Sequence, residues 1–269
     1  MTGNELLNWR GHRIHLSDTG DGEPLLLVSG LGCNVDMWAP FIDEFAGRRI
    51  IRFDAPGTGR SSSPLFPVSI AALAELAATV LDTYDVTSAD VVGFSYGGAV
   101  AQQFAYDHPD RVRRLVLAAT TCGVGAVPGS LQAMAAYANT LRFYSPEYFD
   151  RVAPTLYGGV TSRDANVRGN EIIKCATTPP SQYGYAMQLL GAAGWTSLPF
   201  LDRIPHETLV INGDDDPLVP VANAQMLAQR IPHARLEIVE QAGHLFLWDD
   251  AANLAPRIGR FVNALPRLN

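Results

Sequence analysis

Five short apolar runs recur along this chain, and within each run the apolar residues are nearly continuous instead of alternating with polar ones. The runs are Leu25–Val28, Ile50–Phe53, Val91–Val92, Leu115–Ala118 and Leu209–Ile211. Such runs are typical of strands buried on both faces, as in a parallel sheet covered by helices. Only the alternating segment around Gly11 predicts an antiparallel hairpin, which would precede the parallel strands.

Amphipathic helices fit the intervals between these strands. An apolar stripe with helical spacing runs from Ile70 to Leu81, and Ser69 stands where an N-cap residue is expected. A second helix is predicted over Ala99–Tyr106. Two more helices are expected to contain Met226–Leu227 and Ile258–Val262. Strands that alternate with helices predict an α/β fold with right-handed crossovers.

The composition supports a globular protein and argues against several kinds of partner. Hydrophobic residues make up 47% of the 269 residues and charged residues 17%, which excludes a disordered chain or a coiled coil. The formal net charge of −7 disfavours nucleic acid as a partner. No run approaches the ~18 apolar residues of a membrane span. With no apolar leader and three scattered cysteines (Cys33, Cys122, Cys175), we expect a cytoplasmic protein with reduced thiols.

One long interval, residues 121–197, interrupts the alternation of strands and helices. It has no buried-strand pattern, it contains helix-like patches, and six of the nine tyrosines fall within it. A connection of that length inside a compact domain needs structure of its own. We therefore expect a helical cap at 121–197, inserted after the sixth strand of an α/β core formed by 1–120 and 198–269.

The segment Gly93-Phe94-Ser95-Tyr96-Gly97 lies directly between a predicted strand and a predicted helix. A Gly-x-Ser-x-Gly sequence in that setting is the nucleophile elbow, a sharp turn that exposes the serine hydroxyl at the sheet edge. The glycines are needed because a Cβ at either position would clash with the neighbouring strand or helix. Ser95 is therefore the candidate nucleophile.

A serine nucleophile needs a general base and a carboxylate that orients the base. His244, which follows Gly243 near the C-terminus, is the candidate base, and surface or capping roles suit the other five histidines. Asp216 is the candidate acid in the turn after the Leu209–Ile211 strand, while Asp214 and Asp215 are expected to cap and solvate that turn. The alternative acid position, after Leu115–Ala118, holds no carboxylate.

A tetrahedral intermediate also needs hydrogen-bond donors for its oxyanion. The glycine-rich loop after the Leu25–Val28 strand and the residue after Ser95 predict two backbone donors, the N–H groups of Leu31 and Tyr96. No cofactor is expected. The loop Asp54–Ser62 lacks the third glycine of a dinucleotide site, and the cysteines and histidines show no metal-ligand spacing.

These motifs together resemble the α/β-hydrolase superfamily over nearly the whole chain. Many of its members have a histidine where this chain has Ser29. A more specific similarity is to the intracellular medium-chain poly(3-hydroxyalkanoate) depolymerases and related esterases. The segments that carry it include Ala101–Ala105, Ala153–Thr155 with Tyr157–Gly159, Gly194–Ser197, Gly213–Pro217 and His244–Leu247. The resemblance implies hydrolysis of ester bonds.

The leading hypothesis is a cofactor-free serine hydrolase that cleaves carboxylic esters, with medium-chain acyl or 3-hydroxyacyl groups favoured. Its substrate would be a small molecule or an oligomeric ester. The same catalytic residues could instead serve perhydrolysis of the haloperoxidase type, thioester hydrolysis or C–C bond hydrolysis, and a non-catalytic ligand-binding protein is a remoter alternative. The expected pocket residues, all in the cap, are Tyr137, Phe143, Tyr144, Tyr157, Met187 and Trp195. The oligomeric state is not predicted.

Overall fold

The computed structural model of the chain describes residues 3–42, 44–45, 47–165 and 178–264, so Cys175 lies outside the described residues. Eight strands form one sheet in the order β1-β2-β4-β3-β5-β6-β7-β8. Their bounds are β1 Gly3–Trp9, β2 His12–Thr19, β3 Glu23–Val28, β4 Arg48–Phe53, β5 Ala89–Phe94, β6 Val112–Ala118, β7 Glu207–Gly213 and β8 Ala234–Val239. The β1–β2 and β2–β4 pairs are antiparallel and the other pairs are parallel. The predicted α/β class and the N-terminal hairpin are therefore confirmed.

Helices flank this sheet. Their bounds are α1 Ala39–Ile42, α2 Ile70–Thr83, α3 Tyr96–Asp107, α4 Leu131–Ala138, α5 Pro146–Tyr157, α6 Gly159–Arg163, α7 Gln182–Ala192, α8 Val221–Arg230, α9 Phe246–Asp249 and α10 Ala251–Val262, with short 3-10 helices at Val35–Trp38, Pro109–Arg111, Thr140–Phe143 and Leu201–Arg203. Ser69 caps α2, since its side chain accepts a hydrogen bond from the Ala72 N–H. The predicted second helix begins earlier than expected, at Tyr96, because the turn at Ser95 leads straight into it.

The central strands of the sheet are buried on both faces, which explains the continuous apolar runs. Along β3, Leu26 packs with one core cluster, which includes apolar residues of α2, α3 and α8. Its neighbours Leu25 and Leu27 pack with the other cluster, which includes residues of α1, α9 and α10. Because successive side chains of a strand point to opposite faces, a strand buried on both faces has apolar residues at neighbouring positions.

The interval between β6 and β7 contains helices α4 to α7. Its two ends lie side by side, since Gly123 pairs with Thr196 in an isolated β-bridge and the Ser197 N–H donates to the Cys122 carbonyl. Helices α4 and α5 share a small apolar cluster that includes Phe149 and Leu156 and also Leu218 and Val219 beyond β7. We propose that 121–197 is the cap and that 1–120 and 198–269 form the core; residues 166–177 lie outside the described residues.

Candidate active site

Three loops meet at the carboxyl edge of the sheet, where sites in open α/β sheets form. Ser95 follows β5, Asp216 follows β7 and His244 follows β8. These residues are 28 to 149 positions apart in sequence. Parallel strands end at the same edge, so the sheet brings the three side chains together.

Ser95 occupies a backbone conformation that is rare for a residue with a side chain, with φ 53° and ψ −117°. Its N–H donates to the Ala118 carbonyl over 2.8 Å, and its own carbonyl accepts from Thr120 Oγ1 over 2.7 Å. A Cβ on Gly93 or on Gly97 would clash with backbone atoms of the elbow or of Val28. The glycines thus permit the close approach that the elbow requires.

A continuous hydrogen-bond chain joins the three side chains. His244 Nε2 lies 3.1 Å from Ser95 Oγ, and His244 Nδ1 lies 2.7 Å from Asp216 Oδ2. The other carboxylate oxygen of Asp216 accepts from the N–H groups of Leu218 and Val219 over 2.9 and 2.8 Å. An acceptor at Nδ1 favours the imidazole tautomer in which Nε2 is free to accept the serine proton.

Helix α5, between β6 and β7, also contacts the loop that carries His244. The His244 N–H donates to the Tyr157 carbonyl over 2.6 Å, and the Tyr157 ring stacks on the imidazole with 6.4 Å between centroids. On the other side, the Phe94 ring lies 5.2 Å from the imidazole centroid. His244 is only 3% exposed. The imidazole is therefore packed between the Phe94 ring at the end of β5 and the Tyr157 ring at the end of α5.

The neighbouring aspartates have other contacts. Asp214 and Asp215 are exposed, and Asp215 Oδ2 accepts from the Gly159 N–H over 3.0 Å. Neither carboxylate is hydrogen-bonded to His244, whose Nδ1 partner is Asp216.

The surface role expected for His15 and His206 is wrong, since both side chains are buried. His15 Nδ1 lies 2.9 Å from Asp54 Oδ2 because β2 faces the loop after β4. His206 Nε2 lies 2.9 Å from the Pro109 carbonyl. These contacts are made with segments far away in sequence, so the local sequence around each histidine carries no sign of them.

The loop Ser29–Gly32, which we call the oxyanion loop, lies against the elbow. A Cβ built on Gly30 would be 3.7 Å from Ser95 Cβ. Within the described part of the chain, the N–H groups of Leu31 and Tyr96 donate to no protein acceptor. Ser29 Oγ, at the position of the family's histidine, accepts from Trp38 Nε1 over 3.0 Å and donates to the Asn34 carbonyl.

Ser95 lines two cavities. The larger, about 200 Å³, is lined mainly by apolar side chains, including Met134, Tyr137, Trp195, Leu218 and Val219. The smaller, about 50 Å³, lies beside the oxyanion loop and His244. Of the expected pocket residues, Tyr137 lines both cavities, Trp195 lines the larger, and Phe143 and Tyr157 line the smaller. Tyr144 and Met187 line neither, and the Tyr144 hydroxyl instead donates to the Pro180 carbonyl.

Arg142 lines the smaller cavity and was missed by the sequence analysis. Its guanidinium donates to the carbonyls of Tyr137 and Asn139 and to the Tyr185 hydroxyl, and it lies 4.3 Å from the Phe143 ring centroid. Burial raises the pKa of both Tyr137 and Tyr185, so both phenols are neutral, and Tyr137 lies in the wall of both cavities. An arginine inside an aromatic cluster gives no periodic sequence signal.

Among the described residues, no group of three or more His, Cys, Asp or Glu side chains is placed to hold a metal ion. A search of the same residues finds no helix with the length and apolar character needed to cross a membrane.

The fold and the loops at its carboxyl edge define the class of protein. The model of the "Alpha/beta hydrolase family" matches residues 25–257, and the chain belongs to this family. A poly(3-hydroxyalkanoate) depolymerase from Ectopseudomonas oleovorans is 42% identical over 240 residues, covering 89% of this chain and 84% of the relative. The resemblance stated from the sequence is therefore confirmed.

Two further relatives extend the comparison. A 2-hydroxymuconate semialdehyde hydrolase from Pseudomonas sp. (strain CF600) is 32% identical over 265 residues, covering 94% of this chain and 91% of the relative. Among solved structures, a hydrolase from Pseudomonas aeruginosa PA01 superposes with a TM-score of 0.82 at 25% identity, covering 97% of this chain and 98% of that one.

Proposed function

We propose that this protein is a serine hydrolase that cleaves carboxylic esters through an acyl-enzyme. The observation that carries the proposal is the hydrogen-bond chain from Ser95 through His244 to Asp216, with Ser95 lining two cavities. Ser95 Oγ attacks the ester carbonyl carbon while His244 Nε2 takes the hydroxyl proton. Asp216 holds the imidazole and stabilises the cation that forms.

The tetrahedral intermediate carries its negative charge on the former carbonyl oxygen. The N–H groups of Leu31 and Tyr96 are the proposed donors, and Tyr96 begins helix α3, whose N-terminus favours negative charge. His244 then returns the proton to the leaving alkoxide, so an alcohol departs and Ser95 is left acylated. A water molecule, deprotonated by His244, releases the carboxylic acid in the second half of the reaction.

The proposed substrates are esters of medium-chain acyl or 3-hydroxyacyl groups, as small molecules or oligomers. The apolar lining of the larger cavity supports an acyl chain there, since burial of each methylene contributes up to ~0.8 kcal/mol. The similarity to a poly(3-hydroxyalkanoate) depolymerase supports the 3-hydroxyacyl class. The reaction needs no cofactor.

A second candidate is hydrolysis of a C–C bond. The similarity at 32% identity to a 2-hydroxymuconate semialdehyde hydrolase over almost the whole chain favours it. The same serine and histidine would serve either reaction. Parallel assays of p-nitrophenyl hexanoate and of 2-hydroxymuconate semialdehyde separate the two, because each candidate predicts a large preference for its own substrate.

Replacement of the nucleophile tests the mechanism. Ser95→Ala should lower kcat for p-nitrophenyl hexanoate by ~10³-fold or more, because only binding and the oxyanion donors would remain. A fluorophosphonate probe should add one equivalent covalently to the wild-type protein and none to the variant, as read by intact-protein mass spectrometry.

The matched control is Ser63→Ala, which changes an exposed serine outside the elbow. This variant should keep wild-type activity and labelling. Equal labelling of the wild-type and Ser95→Ala proteins would contradict the assignment, and a wild-type protein that binds esters without turnover would favour a non-catalytic ligand-binding role.

A further inference from the structure

Gln188 is a buried polar side chain that the proposed mechanism has not used. It lies on helix α7 of the proposed cap and is 5% exposed. Its Oε1 accepts from the Gly32 N–H over 3.0 Å, across 156 residues of sequence. Its Nε2 donates to the Pro56 carbonyl over 3.1 Å and to Thr58 Oγ1. One amide therefore joins the cap, the oxyanion loop and the loop that follows β4.

Helix α7 is pressed against both of these loops. A Cβ on Gly57 would lie 2.7 Å from Gly184 Cα, so the helix backbone and the loop after β4 are in direct contact. A Cβ on Gly32 would lie 2.8 Å from the Tyr185 ring. The position of the oxyanion loop is thus set by the helix face that carries Tyr185 and Gln188.

The Gly32 N–H belongs to the peptide that follows Leu31, the proposed oxyanion donor. Gly32 has φ +71°, and a glycine has few steric barriers to rotation of its flanking peptides. The hydrogen bond to Gln188 opposes that rotation on the cap side of the loop. On the core side, Ser29 stands where many family members have a histidine, and its hydroxyl accepts from Trp38 Nε1 and donates to the Asn34 carbonyl.

We propose that Gln188 is a positioning residue that holds the oxyanion loop, so that the Leu31 N–H points at the developing oxyanion. This inference rests on the proposed function, since it assigns a role in the same reaction. It makes the cap a structural part of the oxyanion hole as well as a wall of the pocket. Displacement of α7 would then disable the donor without moving Ser95, His244 or Asp216.

The test is Gln188→Met, which keeps the length of the side chain and removes its three hydrogen bonds. We expect kcat per active site for p-nitrophenyl hexanoate to fall by about tenfold to hundredfold, because a misplaced donor loses much of its effect, while KM changes little. Active sites are counted from the burst of p-nitrophenol released by diethyl p-nitrophenyl phosphate. The inhibition constant of a trifluoromethyl ketone, which forms an oxyanion on Ser95, should rise by a similar factor.

A second measurement does not depend on activity. Amide hydrogen exchange in the peptide that covers residues 25–38 should be faster in Gln188→Met than in the wild-type protein, because the Gly32 N–H loses its acceptor. Gln188→Glu keeps an acceptor for Gly32 and should lose less kcat than Gln188→Met. Thr58→Val removes only a partner of Nε2 and should change kcat per site by less than threefold.

Gln182→Leu, an exposed position on the same helix, is the matched control and should match the wild-type protein in every assay. The inference is overturned if Gln188→Met keeps wild-type kcat per active site, or if activity falls only in proportion to the titrated sites. Unchanged exchange in residues 25–38 would also overturn it. If the wild-type protein hydrolyses no ester but exchange in this peptide responds to Gln188→Met, the loop support stands and the proposed function fails instead.

Discussion

Ser95 holds a conformation that a residue with a side chain adopts only at a cost of order 1–3 kcal/mol. Such strain persists where contacts with surrounding residues hold the backbone in the strained conformation. The Ser95 N–H is bonded to Ala118, and its carbonyl accepts from both Thr120 Oγ1 and the Gly98 N–H. These three hydrogen bonds hold the backbone of the elbow in its strained conformation, and the Ser95 hydroxyl lies 3.1 Å from His244 Nε2.

The sharpest prediction at the level of single residues concerns Asp216. In Asp216→Asn, the amide oxygen would accept from the Leu218 and Val219 N–H groups, which leaves the NH₂ group facing His244 Nδ1. That contact selects the imidazole tautomer with a proton on Nε2, which cannot accept from Ser95. We expect kcat to fall by roughly 10⁴-fold with little loss of folded protein, measured by ester hydrolysis and circular dichroism.

Asp214→Asn is the control, because Asp214 lies in the same turn but is exposed. It should retain near wild-type kcat. A comparable loss in both variants would show that the turn itself, and not the contact with His244, is what the substitution damages.

At the level of elements, local chemistry accounts well for helix α2. Its apolar stripe is buried from Ile70 to Leu81, and Ser69 satisfies one of the unpaired N–H groups of the first turn. Ser69→Ala should therefore lower the free energy of unfolding by about 1 kcal/mol, measured by urea denaturation. Ser69→Asp retains a capping oxygen and should stay close to the wild-type stability. If Ser69→Ala is as stable as wild type, the N-cap hydrogen bond of Ser69 contributes nothing to the stability of the protein.

The interval between β6 and β7 supplies part of the wall of the larger cavity. Met134 and Trp195 from this interval line the cavity together with Leu218 and Val219. Hexanoyl and octanoyl esters should therefore exceed acetyl esters in kcat/KM by one or two orders of magnitude on the same leaving group. Steady-state assays of the three p-nitrophenyl esters check this. A clear preference for acetyl would mean that the acyl group binds in the smaller cavity.

At the level of the whole molecule, one sheet holds a site made from distant parts of the chain. The order β3-β5-β6-β7-β8 places the oxyanion loop, the elbow and the loops of Asp216 and His244 along a single edge. The interval between β6 and β7 then folds back over that edge, where Tyr157 and Gln188 contact the His244 loop and the oxyanion loop. Stability and the geometry of the site consequently depend on the same long-range packing.

His206 should contribute to the pH dependence of stability, which is a property of the whole fold. Burial lowers the pKa of His206, although the Pro109 carbonyl and Asp110 act in the opposite direction. Nδ1 has no partner among the described residues, so a proton there would be buried and unpaired. Below the ordinary histidine pKa of ~6.5 the unfolded chain binds a proton that the folded state resists, so stability is lost as the pH falls through this range.

His206→Gln should therefore reduce the difference in unfolding free energy between pH 7.5 and pH 5.5, measured by urea denaturation at both values. The Gln side chain has an N–H group for the Pro109 carbonyl but does not titrate. His233→Gln, at an exposed position, should leave the difference as in the wild-type protein. Equal differences in all three proteins would exclude a contribution from His206.

The sequence by itself determined the features that depend on near neighbours. The strands β3 to β7 follow from short apolar runs, α2 follows from its stripe and from Ser69, and the elbow follows from the glycines around Ser95. The sequence also predicted that Ser95, Asp216 and His244 lie in loops at one edge of the sheet, where the structure has them. Their catalytic roles stay predictions.

Only the tertiary structure decided which side chains from distant segments touch. His15 is buried against Asp54, Arg142 lies in an aromatic cluster at the site, and Tyr144 lines neither cavity. Gln188 reaches the Gly32 N–H over 156 positions of sequence. None of these contacts leaves a periodic or local pattern, because each depends on how the interval between β6 and β7 packs over the sheet edge or on which loop a strand faces.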